Sequence, residues 1–196
     1  MAIAIISALY VAAQILADIS SLRILYILGM SIDGGTFIYP ITFTLRDLLH
    51  KVAGVKVARA IIIVAAVVNI LMAGMFWLVA TLPPDEAVGP QIAFINALAP
   101  VWRIVFASIA AEVISELLDT EAYRLWVARF AEKYQWARVL VSNSVSIPID
   151  SLLFCWIAFG GILPAAIVWS IVLSNVVIKG IVTLVSIPSI YLVKEK

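Results

Sequence analysis

The stretch VARAIIIVAAVVNILMAGMFWLVAT, residues 57 to 81, decides the fold class because it is apolar over a length that spans a membrane. A helix needs about 20 apolar residues to cross the hydrocarbon core of a bilayer, and this run exceeds that length with Arg59 as its one charged residue. The whole chain shares this character, since 64% of its 196 residues are hydrophobic and 13% are charged. Such a composition predicts an integral membrane protein.

Further apolar runs extend this prediction to an all-α protein with six transmembrane helices in a single domain, residues 1–196. The predicted spans are residues 2–19, 35–49, 57–81, 94–117, 140–162 and 164–192. The second span is short, and the apolar piece LRILYILGM before it does not reach spanning length. We therefore expect a re-entrant or broken segment near residues 22–36. The first run lacks the basic region and cleavage site of a signal peptide and is interpreted as retained.

The distribution of Lys and Arg predicts that both termini are cytoplasmic. Basic residues flank the second and fourth connections and the C-terminus, whereas the first connection holds only Arg23 and the fifth holds no charge. Cytoplasmic loops carry the excess of Lys and Arg, and six spans with both termini inside satisfy this pattern at every loop. We expect a multi-pass protein of the cell inner (plasma) membrane.

The connection from 119 to 139, DTEAYRLWVARFAEKYQWARV, mixes aromatic and basic residues at helical spacing. This pattern is typical of an amphipathic helix in the membrane interface. The alternative is a docking surface for a second subunit, which would make the protein a homodimer.

The fifth predicted span carries polar residues on one helix face. Asn143, Ser146, Asp150 and Phe154 are spaced 3, 4 and 4 residues apart, with Asp150 near mid-span. Pro148 lies among them and is expected to weaken the local backbone ladder and bend the helix. Charge at membrane depth is costly and usually faces a cavity or a partner, so this face is a candidate binding surface. A kink buried between helices is the structural alternative.

The last predicted span carries Asn175 and Lys179, one helical turn apart, with apolar-dominated sequence on either side of Lys179. Because a very short turn joins the fifth and sixth spans, they are antiparallel neighbours. Asp150 and Lys179 are therefore expected at similar depth in the membrane. An ion pair between them is expected. A structural salt bridge and a pair that a ligand opens by offering replacement hydrogen bonds both fit this pattern.

The second and fourth spans add further candidates. In the fourth, Arg103 lies near one end and Glu112 lies deeper, whereas Glu116 and Asp119 approach the cytoplasmic end and are interpreted as solvated. The second span carries a stripe that is interpreted either as a cavity wall or as a helix-packing face. Its members are Thr36, Tyr39, Pro40, Phe43 and Asp47.

Composition argues against several function classes. The net charge is +1 and the basic residues are scattered, so no nucleic-acid partner is expected. The single cysteine, Cys155, lies in an apolar run and is interpreted as packing, and His50 is the one histidine. An intramembrane enzyme built on Glu112, Glu116 and Asp150 would lack paired His or Cys metal ligands, so we expect no enzyme, metal or cofactor. A structural subunit without a ligand is a further alternative.

Four stretches resemble the queuosine precursor transporters, a vitamin-uptake-like family. FIYPITFTLRDLLHKVAGVKVAR is similar to the signature of that family, and the similarity continues in order from about residue 35 to the end. The later stretches are WRIVFASIAAEVISELLD in the fourth span, RVLVSNSVSIPIDSLLF in the fifth and VVIKGIVTLVSIPSIYLVK in the last. Three departures occur. His50 and Lys51 stand where many members have Thr-Glu, Ala53 replaces a tyrosine, and Pro148 stands where a glutamine is usual.

This resemblance implies six helices with a fold similar to the substrate-binding components of energy-coupling-factor vitamin transporters. It also implies import of a 7-deazapurine such as queuine, 7-cyano-7-deazaguanine or 7-aminomethyl-7-deazaguanine. The alternative is a component that feeds a shared ATP-driven module, for which Ala4, Ala8 and Ala12 would form a docking face. No phosphate-binding glycine loop occurs in the chain, so ATP use would need a separate protein.

Ten residues are the candidates for substrate binding, because they combine carboxylate, amide, hydroxyl, cationic and aromatic groups at membrane depth. A carboxylate can accept two adjacent N–H donors of a guanine-like edge, an amide can both donate and accept, and aromatic faces suit a flat ring. The candidates are Asp150, Lys179, Glu112, Asn143, Ser146, Asn175, Tyr39, Phe43, Arg103 and Asp47.

Overall fold

The computed structural model describes residues 2–130 and 135–186, and most of these residues are helical. The helices are α1 (Ala2–Ser20), α2 (Tyr39–Ala53), α3 (Val55–Thr81), α4 (Ile92–Leu98), α5 (Val101–Phe130), α6 (Gln135–Phe159) and α7 (Ala165–Ser186). Between α1 and α2 lie two short strands, β1 (Ile24–Ile27) and β2 (Met30–Asp33), followed by a 3-10 turn at Gly34–Phe37.

Within the described residues, four helical segments are long and apolar enough to cross a membrane. They are Ile3–Ser20, Lys56–Thr81, Ile92–Ser115 and Ala165–Val185, and Asn143–Phe159 is a shorter apolar helix. The third of these segments includes the break between α4 and α5. α2 has 15 residues and is shorter than a typical span. These helices indicate a multi-pass membrane protein.

The segment between α1 and α2 corrects the all-α prediction. Residues 24–33 form a two-stranded β-hairpin rather than a re-entrant or broken helix. Leu28 and Gly29 connect the strands with φ angles of 52° and 82°. Two successive residues with positive φ match the right-handed twist of the flanking strands, which favours a tight hairpin over a helix.

Helix boundaries differ from the predicted spans at two places. α2 begins at Tyr39 rather than at residue 35, because Gly34 and Gly35 belong to the 3-10 turn. α5 and α6 extend beyond the predicted spans 94–117 and 140–162, since α5 continues to Phe130 and α6 begins at Gln135. Residues 119–130 are thus helical as predicted, and the position of this helix in the membrane interface stays a prediction. The end of the last predicted span, beyond Ser186, lies outside the described residues.

The chain divides into two compact units. Unit 1 comprises Met1–Ile24 and Asp33–Phe106, and unit 2 comprises Leu25–Ile32 and Ala107–Lys196. In unit 1, α1 packs against α2 and α3 around Tyr10, Leu49, Ala58 and Ala65. The buried residues of α1 recur at helical spacing and include polar side chains, so one face of this apolar helix is a polar interior face. They are Tyr10, Ala13, Gln14, Ala17 and Asp18, and the buried Ser21 follows directly after the helix.

Unit 2 is built around the pair of helices α6 and α7. A short turn at residues 160–164 joins them and they pack against each other, as the sequence predicts for antiparallel neighbours. Near this turn the rings of Trp156 and Trp169 meet edge to face with centroids 5.8 Å apart. α6 continues through Pro148 as a helix, so this proline does not end the element that carries Asp150.

Gly35 is expected to tolerate no side chain, because it lies against the C-terminal end of α1. A Cβ there would collide with the Ser21 hydroxyl and would lie 2.7 Å from the Ala17 carbonyl oxygen. Overpacking of this kind costs about 1–3 kcal/mol, so Gly35→Ala should lower the thermal unfolding midpoint of the detergent-purified protein by several degrees. Gly74→Ala is the matched control, since no atom lies within 4 Å of its Cβ position. Equal midpoints for the two variants would contradict the close packing at Gly35.

Candidate functional site

An ion pair between Asp150 and Lys179 is the centre of the candidate site in unit 2. The Lys179 Nζ lies 2.5 Å from the Asp150 Oδ2, and the two side chains are 5% and 16% exposed. The ion pair expected from the sequence is therefore present. Because both partners are largely removed from solvent, removing one partner costs more free energy than replacing both by uncharged residues.

The neighbours of Asp150 on α6 follow from the helical repeat. Ser146 precedes it by one turn and Phe154 follows it by one turn, and both side chains are buried. Asn143, one further turn away, is half-buried. The polar stripe predicted from the sequence therefore lies on a partly enclosed face rather than on the lipid-facing surface of α6.

Ser115 on α5 is a contact of Asp150 that sequence reasoning did not find. Its Oγ lies 3.3 Å from the Asp150 Oδ1 and 3.1 Å from the Glu112 carbonyl oxygen. A hydroxyl has one proton to donate, so these two acceptors compete for it and the bond to the carboxylate is long. A ligand that donates a better hydrogen bond can replace Ser115 at Asp150 at small cost.

Asn175 on α7 also has a weak hydrogen bond. Its side chain is buried, and its Nδ2 donates to the Cys155 Sγ at 3.4 Å. A thiol sulfur is a poor acceptor, so the amide gains less from this contact than from an oxygen acceptor. Asn175 lies one turn before Lys179, so the amide and the ammonium group lie on the same face of α7.

The β-hairpin is held against α7 at Ser31 by one backbone hydrogen bond and by a hydroxyl that also contacts the Ile171 carbonyl oxygen. The Ser31 backbone N–H donates to the Ser170 Oγ at 2.8 Å, and the Ser174 Oγ lies 2.9 Å from the Ser31 carbonyl oxygen. The two serines are one turn apart on α7, and Ser174 precedes Asn175. The middle of the hairpin is thus held beside the polar face of the helix that carries Lys179.

Unit 1 contains a second polar cluster, centred on Asp33 at the end of β2. The Asp33 Oδ1 accepts a hydrogen bond from the Ser21 Oγ at 2.9 Å, and its Oδ2 accepts one from the Thr36 Oγ1 at 2.7 Å. All three side chains are buried. Hydrogen bonds to a carboxylate are stronger than neutral ones, so this cluster fixes the end of the hairpin to α1 and to the 3-10 turn.

The remaining predicted site residues are distributed over both units. Glu112 is half-buried on α5 in unit 2, whereas Tyr39 begins α2 and Arg103 lies in the first turn of α5, both in unit 1. Phe43 and Asp47 lie on α2, and their side chains fall outside the described part of the structure.

Sequence reasoning missed Asp33, Ser21 and Ser115 as members of polar clusters. Asp33 sits in the segment expected to be broken, and an acid there signals a need for hydrogen-bond donors. Ser115 offered a weaker signal, its position three residues after Glu112 on the same helix face. Neither signal identifies the hydrogen-bond partner, because residues that bond between separate helices and strands have no fixed spacing in sequence.

The unit 2 cluster suits a planar ligand with adjacent N–H donors and a carbonyl group. Asp150 can accept two N–H groups, Lys179 can donate to a carbonyl oxygen, and Asn175 can do both. The Ser115–Asp150 and Asn175–Cys155 contacts are weak hydrogen bonds, so a ligand can replace these two contacts at little cost. Among the described residues, no group of three or more His, Cys, Asp and Glu side chains could hold a metal ion.

Two comparisons with known proteins match most of the chain. A sequence profile for the family described as "Putative vitamin uptake transporter" matches residues 33–193. The "Probable queuosine precursor transporter" of Bacillus subtilis (strain 168) is 25% identical over 184 residues, covering 93% of this chain and 80% of that protein. No solved structure matches the chain. Because the family profile covers most of its length, this chain belongs to the family of vitamin uptake transporters.

Proposed function

We propose that this protein imports a queuosine precursor, a 7-deazapurine, across the plasma membrane, and that it recognises this substrate at Asp150 and Lys179. The observation that carries the proposal is the buried ion pair between α6 and α7, both apolar helices of a transporter family. The name of the Bacillus subtilis relative supports the substrate class. A buried pair is costly to form, and a ligand that replaces both partners can release that cost.

A guanine-like ring fits the chemistry of this cluster. Its adjacent ring and exocyclic N–H groups would displace Ser115 and bind the carboxylate of Asp150. Its carbonyl oxygen would accept from Lys179 or from the Asn175 amide. The amide nitrogen of Asn175 would then exchange a sulfur acceptor for an oxygen acceptor, which is a gain in hydrogen-bond strength. Glu112, Asn143 and Ser146 would complete the polar lining. The other candidates from the sequence, Tyr39, Phe43, Arg103 and Asp47, belong to unit 1.

The proposed topology has six spans with both termini in the cytoplasm. α1, α3, the α4–α5 segment and α7 supply four spans of sufficient length. α2 and α6 would supply the other two. α2 has 15 residues and the apolar part of α6 is Asn143–Phe159, so these spans would need local thinning of the bilayer or protein neighbours at their ends. Labelling of single introduced cysteines from either side of a Cys155→Ser protein would test this orientation.

A thermal-shift panel on the detergent-purified protein tests the substrate class. Queuine, 7-cyano-7-deazaguanine and 7-aminomethyl-7-deazaguanine should raise the unfolding midpoint, because a ligand that binds only the folded state stabilises it by mass action. Guanine and riboflavin serve as comparison compounds. If no deazapurine shifts the midpoint, the proposed substrate class is wrong.

The coupling of transport to an energy source is tested with the purified protein in liposomes. Uptake by the protein alone would exclude an ATP-driven module as a requirement, whereas co-purification with an ATPase would favour it. The homodimer and the ATP-driven module stay predictions from the sequence. Comparing uptake with and without an imposed proton gradient would separate passive from proton-coupled import.

A further inference from the structure

A groove between α1 and α3 in unit 1 shares no lining residue with the polar clusters. It encloses about 760 Å³ and its walls are apolar. Ala8 and Ala12 of α1 and Ala60 of α3 supply small side chains that keep the space open. The lining has two polar residues. Ser7 is the first lining residue of α1, and Lys56 is the first lining residue of α3.

The groove has the length of one membrane leaflet. Along α3 it runs from Lys56 to Val68, which is about 18 Å at a rise of 1.5 Å per residue. One leaflet is half of the hydrocarbon core, or about 15 Å. An extended acyl chain can therefore follow the groove from the membrane surface toward the bilayer centre.

The positive charge of Lys56 at one end of the groove favours a lipid over a helix of a second copy as the molecule that binds there. Lys56 is exposed and stands in the first turn of α3, where a predicted spanning helix leaves the membrane surface. Basic groups at the ends of grooves between membrane helices attract anionic lipid headgroups. A helix from a second copy of this chain would fill the apolar walls but would not need a cation at that end.

We propose that this groove binds an anionic phospholipid, with one acyl chain along Ala8, Ala12 and Ala60 and the phosphate at the ammonium group of Lys56. The occupied groove would cover the contact between α1 and α3 that surrounds Tyr10. The lining of this groove shares no residue with the proposed substrate cluster, and neither proposal is argued from the other.

Native mass spectrometry of the delipidated, detergent-purified full chain tests this site. Phosphatidylglycerol and phosphatidylcholine with identical palmitoyl and oleoyl chains are the probes. The wild-type protein should prefer phosphatidylglycerol about fivefold, as one lysine near an anionic headgroup predicts. Lys56→Gln should abolish this preference. Arg59→Gln is the matched control, because Arg59 is exposed on the same helix but does not line the groove.

A second pair of variants tests the apolar part of the site. Ala12→Phe should fill the groove and lower binding of both lipids, whereas Ala4→Phe, on the same helix but outside the lining, should leave binding unchanged. The proposal is overturned if the wild-type protein binds both lipids equally, or if Arg59→Gln removes the preference as fully as Lys56→Gln. It is also overturned if Ala12→Phe leaves lipid binding intact and instead dissociates a dimer, which would assign the groove to a second copy.

Discussion

Replacing Asp150 with Asn is expected to lower uptake of a 7-deazapurine about 10- to 150-fold, the effect of losing one charge-assisted hydrogen-bonding partner worth about 1.5–3 kcal/mol. Asn keeps the shape of the side chain but removes the negative charge that accepts two N–H donors. It also removes the Asp150 carboxylate from the Lys179 ammonium group, which is 5% exposed. Initial uptake rates in liposomes, normalised to the amount of inserted protein, measure the effect.

Stability and recognition are separated by removing both charges. Breaking a buried pair on one side costs about 3–5 kcal/mol, whereas replacing both partners by uncharged residues of similar size is often neutral. Asp150→Asn combined with Lys179→Met should therefore recover the thermal midpoint of the wild-type protein but not its uptake. Full uptake by the double variant would reduce the pair to a structural salt bridge.

A matched substitution controls for the loss of an acid in general. Asp85→Asn makes the same chemical change at an exposed residue in the connection between α3 and α4. It should alter neither uptake nor the thermal midpoint. If it lowered uptake as much as Asp150→Asn, the loss at Asp150 could not be assigned to substrate recognition.

Asp33→Ala is expected to be the most destabilising single change in unit 1. It removes two hydrogen bonds to a carboxylate and leaves the Ser21 and Thr36 hydroxyl groups in a buried site without this acceptor. Hydrogen bonds to charged groups contribute about 1.5–3 kcal/mol each, so the loss should be roughly 3 kcal/mol or more. For a chain of this size that corresponds to a drop of about 6–12 °C in the unfolding midpoint.

The two hydroxyl donors provide the control for this prediction. Ser21→Ala and Thr36→Val each remove one donor and should each cost about half as much as Asp33→Ala, since hydrogen bonds are lost one at a time. Once Asp33 is absent, the same substitutions should cost little, because contacting residues are not additive. Unchanged midpoints for all three single variants would show that the Asp33 cluster does not stabilise the fold.

The sequence by itself determined the membrane character, most of the helices and the central ion pair. Hydropathy over a window of spanning length is a local property, so residues 57 to 81 specify a membrane helix without knowledge of any partner. The ion pair was equally predictable from the sequence, because a short turn forces α6 and α7 to be antiparallel neighbours. That constraint brings Asp150 and Lys179 to similar depth even though 29 residues separate them.

The tertiary structure alone decided the hairpin and the hydrogen-bond partners. The segment LRILYILGM is apolar enough for either a strand or a short helix, and periodicity cannot separate the two over so few residues. Ser21, Ser115 and Ser170 contact Asp33, Asp150 and Ser31 from 12, 35 and 139 residues away in sequence. These hydrogen bonds depend on how whole helices and strands pack, and no spacing rule in the sequence encodes them. The sequence showed which polar side chains needed a hydrogen-bond partner. The tertiary structure decided which residues supplied these bonds.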